Sequence, residues 1–275
     1  MVKILAPLTG LLAYLLEKAT NPFVKREFGA SNVKSICVLL LQGIGNTILF
    51  LPAIEELQKK FPNVRITAVA KKESVELLAA YKSLIILEYK ANEPFFERLK
   101  FFIELRRSSF DIVAYSRPNR YMMPSILCFF LGGYRLLHKY PVGLYQNCDF
   151  LNSAGIEFDE NISDVMNNLN LLRPLGIRAK FGVPKIRIPQ EIEHKIKGFL
   201  EKAKTKKRKV CIHIGSAQPI RIWPVEYFIE LGSKLAKKYD CSIVLIGGEL
   251  EGEKAKVFLK NIDIPVINAA LKFSV

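Results

Sequence analysis

Ile36-Cys37-Val38-Leu39-Leu40-Leu41-Gln42-Gly43-Ile44-Gly45-Asn46-Thr47-Ile48-Leu49-Phe50-Leu51-Pro52-Ala53-Ile54 runs without a single charge. Uncharged chain of that length meets the rule for a membrane-spanning helix. Its interior argues otherwise. Gln42, Gly43, Gly45, Asn46 and Pro52 interrupt the apolar run, and closely spaced glycines are turn chemistry rather than helix interior. A buried strand Ile36–Leu41, a tight turn and a helix Thr47–Lys60 fit the pattern better. That choice decides the fold.

Outward from this segment the alternation continues. Pro62-Asn63 separates the helix from a strand at Arg65–Ala70. Further strands are expected at Leu84–Leu87 and Asp111–Tyr115, and helices at Ser74–Ala80, Glu93–Arg107 and Tyr121–Leu131. The strands lack polar–apolar alternation, as strands buried on both faces of a parallel sheet do. The pattern predicts a doubly wound, Rossmann-like domain over residues 34–150. Prolines and glycines punctuate the chain between 140 and 185, which reads as an interdomain connection over 151–185 holding one helix, Ser163–Leu172. A second α/β unit is expected over 186–275. Its helices are Gln190–Lys202, Pro224–Lys238 and Glu251–Leu259; its strands are Val210–Ile214, Ser242–Ile246 and Pro265–Ile267. Three strands are few for a doubly wound domain, so this one is expected to be truncated or to cover its last strand with another surface.

Residues 1–33 form an N-terminal extension. Leu8, Leu11, Leu12, Leu15, Leu16 and Ala19 fall on one helical face, flanked by Lys3, Lys18, Lys25 and Arg26. The run is too short to span a bilayer, and Glu17-Lys18 is a poor signal-peptide cleavage site. An amphipathic helix over 4–19 lies on a membrane surface or packs on the protein. The net charge is +15, from 41 Lys+Arg against 26 Asp+Glu. This excess favours anionic partners such as nucleic acid, lipid headgroups or phosphorylated glycans, without choosing among them. No basic motif interleaved with aromatics supports nucleic acid. Cys37, Cys128, Cys148, Cys211 and Cys241 show no metal-ligand spacing and His138, His194 and His213 do not cluster, so no metal site is expected. Cys37, Cys211 and Cys241 read as core thiols, and the odd count fits a reducing compartment.

Two turns carry the candidate chemistry. The first strand runs into Gly43-Ile44-Gly45-Asn46-Thr47. Ile48 stands where a dinucleotide fingerprint needs its third glycine, and Lys71-Lys72 replaces the acid on the second strand. No Gly-Lys-Ser/Thr occurs, which excludes a P-loop. What remains is a glycine loop with Asn46 at the helix N-cap. The second turn is His213-Ile214-Gly215-Ser216, followed by Arg221-Ile222-Trp223-Pro224. Exposed backbone N–H groups, a hydroxyl, a helix N-terminus and a guanidinium can hold a phosphate or diphosphate. An ordinary strand–loop–helix connection with a surface arginine is the alternative.

Together these segments resemble the heptosyltransferases, family 9 of the glycosyltransferases. The resemblance rests on Gly43 to Thr47 leading to Pro52-Ala53-Ile54, on Phe61-Pro62-Asn63-Val64-Arg65-Ile66 and on Phe110-Asp111-Ile112-Val113 before Gly132-Gly133-Tyr134-Arg135. In the second half it rests on His213 to Ser216, on Arg221 to Pro224 and on Val244-Leu245-Ile246-Gly247-Gly248-Glu249. It spans roughly residues 34 to 272 in order.

The resemblance implies a GT-B architecture: two Rossmann-like domains facing a cleft, the second incomplete here. It implies an inverting, metal-independent transfer with no cofactor. The donor would be a nucleotide-diphospho-sugar, by family default ADP-heptose, and the acceptor an anionic glycolipid such as a lipopolysaccharide core. The enzyme would be cytoplasmic and peripheral at the inner membrane. Gly215, Ser216 and Arg221 match the donor-phosphate positions, with Arg221 where the family usually has lysine. Glu251 is a candidate for nucleoside or sugar hydroxyls. Gly43, Gly45, Asn46 and Thr47 face the acceptor, and Arg117 and Arg120 are candidates for its anionic groups, with a solvated loop as their alternative. Two departures stand out. Asn46 occupies the place of the aspartate proposed as general base in the family, and an amide cannot take up a proton at neutral pH. The family's later Asp-Ser/Thr-Gly and His segment is absent up to Val275. These departures keep open a catalytically inactive nucleotide- or sugar-binding remnant.

Overall fold

The computed structural model describes residues 28, 33–116, 123–139, 151–203, 205–216, 218–248, 251–270 and 272–273. The amphipathic helix expected at 4–19, Arg117, Arg120 and Cys148 lie outside the described residues. The chain divides into two compact units, Met1–Arg187 and Ile188–Val275.

The first unit is built on six parallel strands: β1 (Ser35–Leu40), β2 (Arg65–Ala70), β3 (Leu84–Glu88), β4 (Ile112–Tyr115), β5 (Tyr134–Lys139) and β6 (Ala154–Glu157). Their spatial order is β3-β2-β1-β4-β5-β6, that of dinucleotide-binding folds, in which the chain reverses direction beside the first strand. The central strand β1 pairs with β2 from Ser35↔Arg65 to Leu40↔Ala70, and with β4 from Ile36↔Ile112 to Leu39↔Tyr115. The helices of this unit are α1 (Ile44–Lys60), α2 (Lys72–Leu78), α3 (Phe95–Arg106), α4 (Met123–Leu131) and α5 (Asp164–Asn170).

Burial explains why the strands do not alternate. Ile36, Val38 and Leu40 pack with Phe50, Ile54 and Leu57 of α1 in one core. Cys37 and Leu39 pack with Leu105 of α3 and Cys128 and Leu131 of α4 in the other. Each fully buried large side chain contributes about 1.5–3 kcal/mol, so no position from Ile36 to Leu40 is free to be polar. Helix α1 continues through Pro52, whose ring is buried. At the N-terminal edge of the sheet, Asp111 Oδ2 accepts hydrogen bonds from Lys34 N (2.8 Å), Ser35 N (3.0 Å) and Ser35 Oγ (3.1 Å). This carboxylate ties β1 to β4 at the end opposite the strand-to-helix turns.

Strands β5 and β6 go beyond the sequence expectation. Gly132 and Gly133 stand at φ +87° and +69°. A Cβ on Gly133 would lie 2.4 Å from Phe110 O. Glycines in this left-handed region let α4 stop and β5 start at once. Buried Arg135 on β5 donates to Leu151 O (2.6 Å) and Gly133 O (2.9 Å). Helix α5 is capped by Ser163, which accepts from Met166 N, and Asn168 Nδ2 donates to Leu49 O of α1 (3.0 Å). Farther along, Tyr81 Oη donates to Lys185 O (2.7 Å) and Arg187 stacks over the Tyr81 ring. Residues 151–187 therefore complete the first unit, where the sequence pattern reads as a connection. Punctuation by Pro and Gly hides a strand only four residues long.

The second unit holds α6 (Gln190–Lys202), β7 (Arg208–His213), α7 (Val225–Tyr239), β8 (Cys241–Ile246), α8 (Gly252–Asn261) and β9 (Val266–Asn268). Its sheet is parallel in the order β7-β8-β9. Ile212, Ile243, Leu245 and Phe258 form its core. Cys211 is exposed, against its reading as a core thiol. Strand β7 is an edge strand among the described residues and buries only Ile212, so its other face is not covered as a central strand's would be.

Candidate functional site

In the first unit the candidate residues gather where the chain reverses direction. Strand β1 ends at Leu40 and Gly43 stands before α1 in extended geometry (φ −69°, ψ 164°). Gly43 is the N-cap, and Asn46 is the third helical residue, its N–H reaching back to Gly43 O at 3.0 Å. This corrects the N-cap assignment of Asn46: the turn closes earlier because Gly43 adopts the extended cap geometry. A Cβ added to Gly43 or Gly45 would meet no atom within 4 Å. The fold itself does not require these two glycines, and the surface over them is open. Thr47 is buried and shares a 2.8 Å hydrogen bond with Ser74 Oγ of α2, so it fixes the turn rather than facing it. Ser116, at the end of β4, was missed in the sequence. Its N–H donates to Leu39 O (3.3 Å), and its buried Oγ has no hydrogen-bond partner among the described residues. Its one signal is to be the first polar residue after an apolar strand, immediately before Arg117.

In the second unit, pairing of His213 with Ile246 sets the turns after β7 and β8 side by side. Glu251 bridges them. It is buried, and its Oε2 accepts from Gly248 N at 2.8 Å. A Cβ on Gly215 would fall 1.9 Å from Glu251 Oε1, and one on Gly247 would fall 3.0 Å from Glu251 Cβ. A side chain at Gly215 would therefore have to push Glu251 aside. Gly215 N–H also makes a long, 3.4 Å hydrogen bond to His213 Nδ1. A carboxylate against Gly215 repels a second anion there, which moves the expected place of a phosphate outward. Ser216 Oγ accepts from Gln218 N (3.3 Å). Arg221 ends a 3-10 turn, Pro219–Arg221, and its exposed side chain makes no ion pair among the described residues. Trp223 stacks on Tyr227 (5.3 Å, 25°) and meets Phe228 edge-on (5.0 Å), anchoring the loop to α7. Gly215, Gly247, Gly248 and Glu251 thus form one packed group, and half-buried Ser216 and exposed Arg221 follow it in the chain. Among the described residues no three His, Cys, Asp or Glu side chains gather as metal ligands, and no helix is long and apolar enough to cross a membrane.

No protein-family model matches the chain, and no curated protein matches it. Solved structures do. A family 9 glycosyl transferase from Veillonella parvula superposes with a TM-score of 0.72 over 90% of this chain and 72% of that one, at 20% identity. The E. coli ADP-heptose LPS heptosyltransferase II gives 0.66 over 87% and 73%, at 16% identity. E. coli heptosyltransferase WaaC, solved with ADP-2-deoxy-2-fluoro heptose, gives 0.59 over 85% and 76%, also at 16% identity. The chain has the GT-B fold of heptosyltransferase-like glycosyltransferases, with a second unit smaller than the first.

Proposed function

We propose that the protein transfers a sugar, by inversion and without a metal ion, from a nucleotide-diphospho-sugar to an anionic glycolipid. ADP-heptose and a lipopolysaccharide core are the donor and acceptor that the heptosyltransferase-like fold favours. An acceptor hydroxyl attacks the anomeric carbon and the nucleoside diphosphate leaves with the bonding electrons. Negative charge builds on the leaving phosphates, where preorganised donors and a cation stabilise the transition state most. Arg221 supplies that cation, Ser216 a hydroxyl, and the start of α7 its helix dipole. Glu251 holds the two glycine turns together, and through them shapes the surface that meets sugar or ribose hydroxyls. Gly43, Gly45 and Asn46 receive the acceptor, with Asn46 orienting a hydroxyl. The observation that carries this reading is the open surface over Gly43 and Gly45, at the point of the sheet where such folds bind ligands.

The test is calorimetric titration with ADP and ADP-heptose, on the native chain and Arg221→Ala. Loss of a charge-assisted phosphate contact is expected to weaken ADP by about tenfold or more. Absence of ADP binding to the folded chain would overturn the donor site. Asn46 favours a second reading, a binding protein without turnover, because its amide cannot act as the general base. Release of ADP from ADP-heptose in the presence of acceptor separates the two.

A further inference from the structure

An apolar cavity of about 550 Å³ opens between α3 and α4. Phe95 and Leu99 of α3 and Met123 and Ile126 of α4 form its walls, and its floor reaches Leu41 and Tyr115 at the ends of β1 and β4. Phe95 (63% exposed) and Met123 (66%) line it in the open, and Phe96 (77%) meets the Phe95 ring edge-on at 5.7 Å. Exposed aromatics and aliphatics concentrated around one cavity mark a binding face. Arg98 also lines the cavity, and its buried Nε has no hydrogen-bond partner among the described residues. It makes no ion pair there either, although Glu93, Glu97 and Glu104 lie with it in a second pocket along α3.

We infer that this groove receives an acyl chain of an anionic membrane lipid, with Arg98 against the lipid's phosphate and Phe95, Phe96 and Met123 at the headgroup boundary. The lining offers few polar groups beyond Arg98. A peptide would bring backbone donors and acceptors that such a lining leaves unpaired, at a cost for each. An acyl chain brings none. The excess of 41 basic over 26 acidic residues complements an anionic leaflet. The inference is independent of the sugar-transfer reading, because lipid binding is measured without donor or turnover.

The probe is lysophosphatidylglycerol, below its micellar concentration, displacing a fluorescent fatty acid; lysophosphatidylcholine is the neutral control. Saturable displacement is expected. Leu99→Asp combined with Ile126→Asp is expected to weaken it about tenfold, by placing charge on the apolar walls. Arg98→Gln should weaken both lipids, the anionic one more, because in the zwitterionic control the choline cation already offsets the phosphate charge; an unchanged preference for the anionic lipid overturns the Arg98 contact. Circular dichroism checks folding, and Met123→Asp alone, at an exposed rim position, replaces the double variant if that one is unfolded. Flotation with phosphatidylglycerol vesicles is the bilayer arm: binding that survives the wall variants reports net charge alone and overturns the site. No saturable displacement overturns it. So does a dimer, seen by sedimentation, that the wall variants dissociate, since the face is then an interface between copies.

Discussion

His138 sits on β5, 7% exposed, in edge-to-face contact with Phe158 at 5.5 Å. Both ring nitrogens lack a partner in hydrogen-bond geometry among the described residues. Burial lowers its pKa from the ordinary 6.5 to about 4, against smaller opposing contributions from the Ile156 backbone and the Asn168 side chain. The unfolded imidazole takes up a proton as pH falls through 6.5, while the folded one stays neutral down to about 4. Over that interval the unfolded state binds more protons, so stability falls as the solution is acidified. With about 1.4 kcal/mol per pKa unit, His138 contributes about 2 kcal/mol of destabilisation between pH 7.5 and pH 5, and about 3 kcal/mol once the folded group also protonates.

The assay is urea unfolding of the native chain and His138→Phe at pH 7.5, 6 and 5, followed by far-UV circular dichroism. The sole tryptophan, Trp223, lies in the second unit, so its fluorescence reports that unit separately. This matters because two compact units need not unfold in one transition. The other histidines, His194 and His213, are exposed. The phenylalanine variant should lose about 2 kcal/mol less than the native chain between pH 7.5 and 5. Equal losses in the two proteins, or a native chain that gains stability on acidification, would refute the reasoning.

Gly133→Ala should destabilise the first unit by about 3 kcal/mol or more, because its Cβ would meet Phe110 O and the Asp111 backbone rather than a movable side chain; chemical denaturation measures it. Gly215→Ala should displace Glu251 from Gly248 N and weaken ADP binding in calorimetry, while α7 and the β7–β8 core stay folded by circular dichroism. In thiol labelling of the folded chain, Cys211 should react and Cys37 and Cys128 should not. Burial holds those two thiols well above their usual pKa and out of reach.

The first unit was legible in the sequence up to β4 because its signals are local. An uncharged run with a glycine turn, and strands apolar on both faces, admit one parallel sheet. β5 and β6 were not legible for opposite reasons. β5 is announced only by Gly132-Gly133, and its buried Arg135 and His138 look like surface residues to any hydropathy pattern. Arg135 is tolerated inside because two carbonyls and the Phe129 ring receive its guanidinium. β6 is four residues long with a glycine in it. Both depend on partners distant in sequence, which periodicity does not record.

The same distinction separates the site residues. Asp111 and the Gly132-Gly133 pair contribute to the family resemblance, yet each is fully accounted for by the fold: one carboxylate holding β1 to β4, one backbone position that excludes a Cβ. A side chain at Gly215 would have to push Glu251 aside. Gly43 and Gly45 have no such account, since a side chain at either would meet open space. A residue whose identity the fold explains says little about a ligand; one that it leaves unexplained points to what comes from outside. By that measure the acceptor turn carries the stronger functional signal, and Gly43→Ala or Gly45→Ala should leave stability within about 1 kcal/mol of the native chain. Acceptor use should nevertheless fall in turnover assays. Full activity in both variants would remove the acceptor turn from the site, and it would leave Arg221 and the β7–β8 turns to carry the functional reading alone.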